Sequence, residues 1–155
     1  MTALTRPTTA DGLAEAYRLA AYFVDLEGEA IEIAVGHPAA RLEVLLGRAD
    51  SFAYITACNP ASELQPDAYN QRADRELRAA IDHHGYLRWP MNSSSPDGQW
   101  WEAGWLVGNA PPALLDEWAR RFRQRGILLW RRGEPVRLRM YGPEEFPHPQ
   151  IDWIE

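Results

Sequence analysis

The chain contains no lysine; all 16 of its basic residues are arginine. That absence excludes Schiff-base chemistry, a P-loop lysine and a Ser–Lys dyad. Cysteine is nearly absent too, with Cys58 alone, so neither an internal disulfide nor a cysteine-built zinc cluster can form. No apolar run approaches the roughly 20 residues that span a bilayer. Residues 1–12 hold no apolar signal core, which reads as a cytoplasmic protein with no membrane partner. Positive charge is in deficit, the net charge being −6, so a broad nucleic-acid surface is not expected. There is no internal repeat and no low-complexity tract.

What is present is a chain of 155 residues, 46% of them hydrophobic, enough for one domain with a sizeable core. Its organising stretch is Ser51 to Ser62. An apolar run from Phe52 to Cys58 breaks at Asn59-Pro60 and Ser62, which predicts a central strand buried on both faces and ending at a polar turn. Upstream, Leu13, Tyr17 and Ala20 share one side of a first helix. Tyr22, Val24 and Leu26 then alternate, Glu27-Gly28 turns, and Ile31, Ile33 and Val35 alternate again, the pattern of a hairpin. A short helix follows His37-Pro38, with Leu42, Leu45 and Leu46 inward.

Downstream of the central strand, Ala73, Leu77, Ala80 and Ile81 mark a long helix with Asn70 on the same side near its start. Asp74 and Arg78 pair on its outer face. Ser62 with Gln65 fits a capping box. Tyr86 to Met91 reads as a short strand, Asn92 to Gly98 as a loop, and Trp100 to Gly108 as a strong strand in which Glu102 interrupts apolar neighbours. Pro111-Pro112 opens another helix with a stripe of Leu114, Trp118 and Phe122; Ile127–Trp130 and Val136–Tyr141 close the fold. Residues 1–141 form one α+β domain in this reading, and 142–155 an extended tail that Ile151, Trp153 and Ile154 tether.

From Phe52 the order strand, helix, strand, strand, helix, strand is the split β-α-β arrangement of ferredoxin-like domains, with a mixed or antiparallel sheet, helices on one face, and an added N-terminal helix and hairpin. Antiparallel neighbours at Trp100 and Ile127 would gather Asn59, Ser62, Asn70, Glu102 and Gln124 at one end of the sheet. Each also has a purely structural reading. Asn59 can stabilise the turn before Pro60, Ser62 can cap, Asn70 can bond the strand-end turn, and Gln124 can close a helix. Glu102 suits a buried Arg–Glu tie as well as an acid or base.

Cys58 has no His or Asp near it in sequence and reads as packing. His37, His83, His84 and His148 lack the spacing of inward metal ligands, so neither a metal nor a cofactor is expected. The tryptophans Trp100, Trp101, Trp105, Trp118 and Trp130 read mostly as core.

The residues Tyr54-Ile55-Thr56-Ala57-Cys58-Asn59-Pro60-x-Ser62, Asn70, Asp97-Gly98-x-Trp100-x-Glu102 and Phe122-x-Gln124 together resemble the uncharacterised bacterial domain-of-unknown-function family 3293, from about Tyr17 to about Tyr141. The resemblance implies a cytoplasmic bacterial domain and carries no activity with it. The chain departs from the family's pattern at Cys58, where Trp is usual, and lacks the usual glycine near Asn92 to Ser94. Three functions fit these residues: a module binding a small polar ligand through the five-residue cluster, an enzyme using Glu102 as general acid or base, and a protein-interaction domain.

Overall fold

A computed structural model describes residues 10–142 and 150–154. They form four α-helices: α1 (Ala10–Leu19), α2 (Ala40–Leu45), α3 (Asp67–His83) and α4 (Pro112–Arg121). Eight strands accompany them: β1 (Ala21–Leu26), β2 (Glu29–Ile33), β3 (Ser51–Ile55), β4 (Leu87–Ser94), β5 (Trp101–Gly108), β6 (Gly126–Arg131), β7 (Arg137–Tyr141) and β8 (Ile151–Ile154). The architecture is mixed α+β, a single eight-stranded sheet in the order β2-β1-β4-β5-β3-β6-β7-β8. Every pairing is antiparallel except β7 with β8.

The run from Phe52 occupies the centre, as its double-sided hydrophobicity demands. β3 lies between β5 and β6, pairing Phe52 with Gly108 and Trp130. Alternation divides its side chains. Phe52 and Tyr54 face one core with Leu106, Leu128 and Trp130, whereas Ala53, Ile55 and Ala57 face another with Trp105, Val107 and Ile127. The small alanines make room on that second side for α3 (Leu77, Ile81) and α4 (Leu115, Trp118, Ala119). The other face is covered as well, by Leu13, Ala14 and Tyr17 of α1 and by Leu42 and Leu46 around α2, so helices flank the sheet on both sides rather than on one.

Local chemistry explains the joints. Glu27 (φ 51°) and Gly28 (φ 85°) both take the left-handed region, the requirement of the two-residue turn that matches strand twist. Arg132, just past β6, donates to the carbonyls of Glu43 (2.5 Å) and Ala49 (2.9 Å) and so fastens the segment around α2 to the sheet.

Several elements differ from expectation. β4 continues through Asn92-Ser93-Ser94, because these residues pair with Ala21 to Phe23 of β1 and with β5, leaving only a tight turn around Gly98. Leu45 points outward (53% exposed), because Leu42 and Leu46, four positions apart on one side of this segment, take the inward side. On α4 the buried stripe is Leu115, Trp118, Ala119 and Phe122, with Leu114 at its margin. Trp101 is 59% exposed, being the outermost residue of its face of β5. At the chain's end, Ile151–Ile154 add a strand alongside β7; residues 143–149 and Glu155, part of the expected tail, lie outside the described residues.

The tightest approach is at Gly104. A Cβ there would stand 2.5 Å from the Ile55 carbonyl oxygen and 2.8 Å from the Tyr54 ring. Gly104→Ala is therefore expected to cost roughly 2–3 kcal/mol, a fall in Tm of roughly 4–12 °C. Gly47→Ala, where a Cβ meets nothing within 4 Å, should leave Tm nearly unchanged by calorimetry.

Candidate functional site: the rim where β3 ends

Four residues past the end of β3, Asn59 turns the chain left-handed, at φ 49°. Asn tolerates that region better than most residues, and Pro60 then enters a short 3-10 turn ending at Ser62. In this pose the Asn59 side chain reaches three neighbours. Its Oδ1 accepts from the backbone N–H of Gln65 (2.9 Å) and from Asn70 Nδ2 (2.9 Å). Its Nδ2 donates to Glu102 Oε2 at 3.0 Å. Asn70 Oδ1 in turn accepts from the Asn59 backbone N–H at 2.9 Å, so the two asparagines clasp each other.

The structure thus brings Asn59, Asn70 and Glu102 into one chain of hydrogen bonds across α3, the strand-end turn and β5. Gln124 joins from below, its Nε2 donating to the carbonyls of Cys58 (3.0 Å) and Phe122 (3.1 Å). Ser62 stands beside the cluster and bonds it through the main chain, its N–H donating to the Asn59 carbonyl (3.0 Å). It does not cap α3. That helix begins at Asp67 after Pro66, with no side-chain cap, and the Gln65 N–H goes to Asn59 instead.

Burial divides these groups from solvent. Asn59, Glu102 and Gln124 are all buried, while Asn70 is half-buried at the rim. Below Glu102 the Tyr54 hydroxyl lies 3.0 Å from Ser93 Oγ and donates to the Glu102 carbonyl at 3.2 Å. Burial, and then the nearby Glu102 charge, hold that phenol well above its ordinary pKa. The void among Tyr54, Thr56, Ser93 and Glu102 is only about 10 Å³, the size of one water.

The open space lies one layer outward. A groove of about 390 Å³ runs between the first turns of α3 and the start of β5, lined by Cys58, Asp67, Asn70, Gln71, Asp74, Trp101 and Ala103. Asp74 turns into it instead of pairing with Arg78 on the outer face; among the described ion pairs that one does not occur. Asp74 Oδ1 is buried with no hydrogen-bond partner among the described residues. Burial raises the Asp74 pKa. The Trp105 indole N–H works against that rise, though it lies outside good hydrogen-bond geometry, as do the charges of Arg78, Arg88 and Arg75.

Asp74 and Trp101 were not legible as site residues. The helical count put Asp74 outside, and Trp101 shares its face with core residues. The exposed end position of Trp101 on β5 was the one available signal.

Residues 55–127 match the model of a family described as a protein of unknown function (DUF3293). The DUF3293 match is narrower than the resemblance from Tyr17 to Tyr141, and it contains all five rim residues. No curated protein and no solved structure matches the chain. Where the DUF3293 resemblance leads one to expect Trp, Cys58 is buried with its thiol 3.4 Å from the Ala103 carbonyl.

Two outcomes follow from this geometry. Burial, reinforced by Glu102 and Asp74, pushes the Cys58 thiol up to about 11. Since the thiolate is the reactive form, native protein at pH 7.5 should react with a thiol reagent about 10²–10³-fold more slowly than the unfolded chain. Asn59→Ala removes three side-chain bonds and should cost about 3 kcal/mol. Asn70→Ala, combined with it, should add less than its separate cost; strictly additive losses in chemical denaturation would show that the clasp is not a unit.

Proposed function

We propose that the chain is a binding module for a small polar molecule carrying a cationic or multiply hydrogen-bond-donating group, held in the groove beside the Asn59–Asn70–Glu102 chain. The observation that carries this reading is a groove of about 390 Å³ lined by two carboxylates, Asp67 and Asp74, beside the exposed ring of Trp101. A bound ammonium or guanidinium group would meet carboxylate charge there through charge-assisted hydrogen bonds, the stronger kind. The exposed Trp101 offers a ring face at the same groove, suited to a cation, and Asp67 adds a second carboxylate. The asparagine clasp serves as scaffolding, fixing the first turns of α3 against β5 so that the groove has a set width.

The same reading takes β3-α3-β4-β5-α4-β6, with the central order β4-β5-β3-β6, as a ferredoxin-like core whose ligand end is the rim after β3. Burial of Glu102 and its amide partner favour a bridging role for it over proton transfer to a substrate.

Calorimetric titration with agmatine, putrescine and arginine amide tests the proposal. Saturable binding is expected for at least one, weakened about tenfold or more in Asp74→Asn and by a smaller factor in Trp101→Ala. Affinity should fall on acidification through the raised pKa of Asp74, because only the ionised carboxylate attracts the cation. Absence of binding for all three probes, or binding that Asp74→Asn leaves intact, overturns the reading.

A further inference from the structure

α3 has a second flank. On the side away from the acidic groove, it meets the end of α4 across a cavity of about 160 Å³ whose lining includes Tyr69, Arg72, Glu76, Arg121 and Arg123. Three arginines, one from α3 and two from the end of α4 and the residues just after it, line the cavity, in a chain whose net charge is −6. We propose that this cavity is an anion site that takes the phosphate group of a small molecule.

The arginines are available for it. Arg18, Arg41, Arg88, Arg137 and Arg139 each form an ion pair, but Arg72, Arg121 and Arg123 form none among the described residues. They are also held in place. The Arg72 guanidinium lies over the Tyr69 ring at 5.7 Å from its centre, and that of Arg121 over the Phe122 ring at 4.8 Å. Stacking of this kind limits the conformers of a long side chain while leaving its N–H groups outward.

Arg123 is placed by the main chain. Its backbone is left-handed, at φ 54°, and its carbonyl accepts the Ala61 N–H at 2.7 Å, which pins it beside the Asn59-Pro60 turn. A left-handed residue with a large side chain costs roughly 1–2 kcal/mol, so this pose is imposed by the surroundings.

Complementing the α4 dipole accounts for cations at its last turn, but not for Arg72, which projects from the second turn of α3 into the same cavity. Among the described residues Glu76 is the one carboxylate on the lining, and it leaves positive charge in excess. Three guanidinium groups turned to one anion would match the three terminal oxygens of a phosphate better than the two of a carboxylate.

Isothermal titration of the full chain at low ionic strength with pyrophosphate and glycerol phosphate, and with citrate for comparison, tests the site. Both phosphates are expected to bind more tightly than citrate, with affinity falling as salt rises. Arg72→Gln and Arg121→Gln should each weaken binding about tenfold, and the pair together should abolish it. Arg75→Gln, on an exposed position of the same helix, should change it little, with circular dichroism confirming that each variant is folded. Asp74→Asn should also leave phosphate binding intact, which separates this site from the groove on the other flank. No phosphate binding, an equal loss in Arg75→Gln, or binding retained in the double variant each overturns it.

Discussion

One side-chain amide sets the geometry of the rim. Asn59 turns the chain left-handed just beyond β3, and its three hydrogen bonds tie that turn, α3 and β5 into a fixed relation. Nothing apolar could substitute for it. The Gln65 N–H and Glu102 Oε2 need an acceptor and a donor from one compact group, which a primary amide supplies. The two grooves along α3 inherit their shapes from that relation, because both are bounded by the first turns of α3 and by segments Asn59 helps to hold.

Much of this was readable from the chain. The Phe52–Cys58 run and the Glu27-Gly28 turn carry strong, short-range signals, and the antiparallel neighbours of the central strand, β5 and β6, follow from element order. Convergence of Asn59, Asn70 and Glu102 was a topological inference, and the hydrogen bonds among them agree with it. The errors share a cause. Ser62 fits a capping pattern, yet the cap depends on where the helix starts, and Pro66 and Asp67 delay it. Asp74 lies at a helical angle that is solvent in isolation but becomes groove wall once β5 packs alongside. The arginine cavity is likewise invisible to periodicity, since Arg72 and Arg121 meet only after α3 and α4 dock.

At the rim, polar residues from distant segments meet one another. Polar residues that interrupt apolar strands converge, but on converging Asn59, Asn70 and Glu102 bond one another. The solvent-facing groove beside them is lined instead by side chains such as Asp74 and Trp101. A buried network of this sort specifies one arrangement of its neighbours because any slip leaves several polar atoms unmet.

The same network bears on how the chain reaches its native state. Asn59 and Glu102 are 43 residues apart, and Cys58 and Gln124 are 66 apart. Closing loops of that length precedes any gain from the bonds they permit. The hairpin, with its partners adjacent along the backbone, is suited to forming early, whereas the amide chain can assemble only after both crossover helices have settled. Its polar atoms stay hydrated until those long loops have closed.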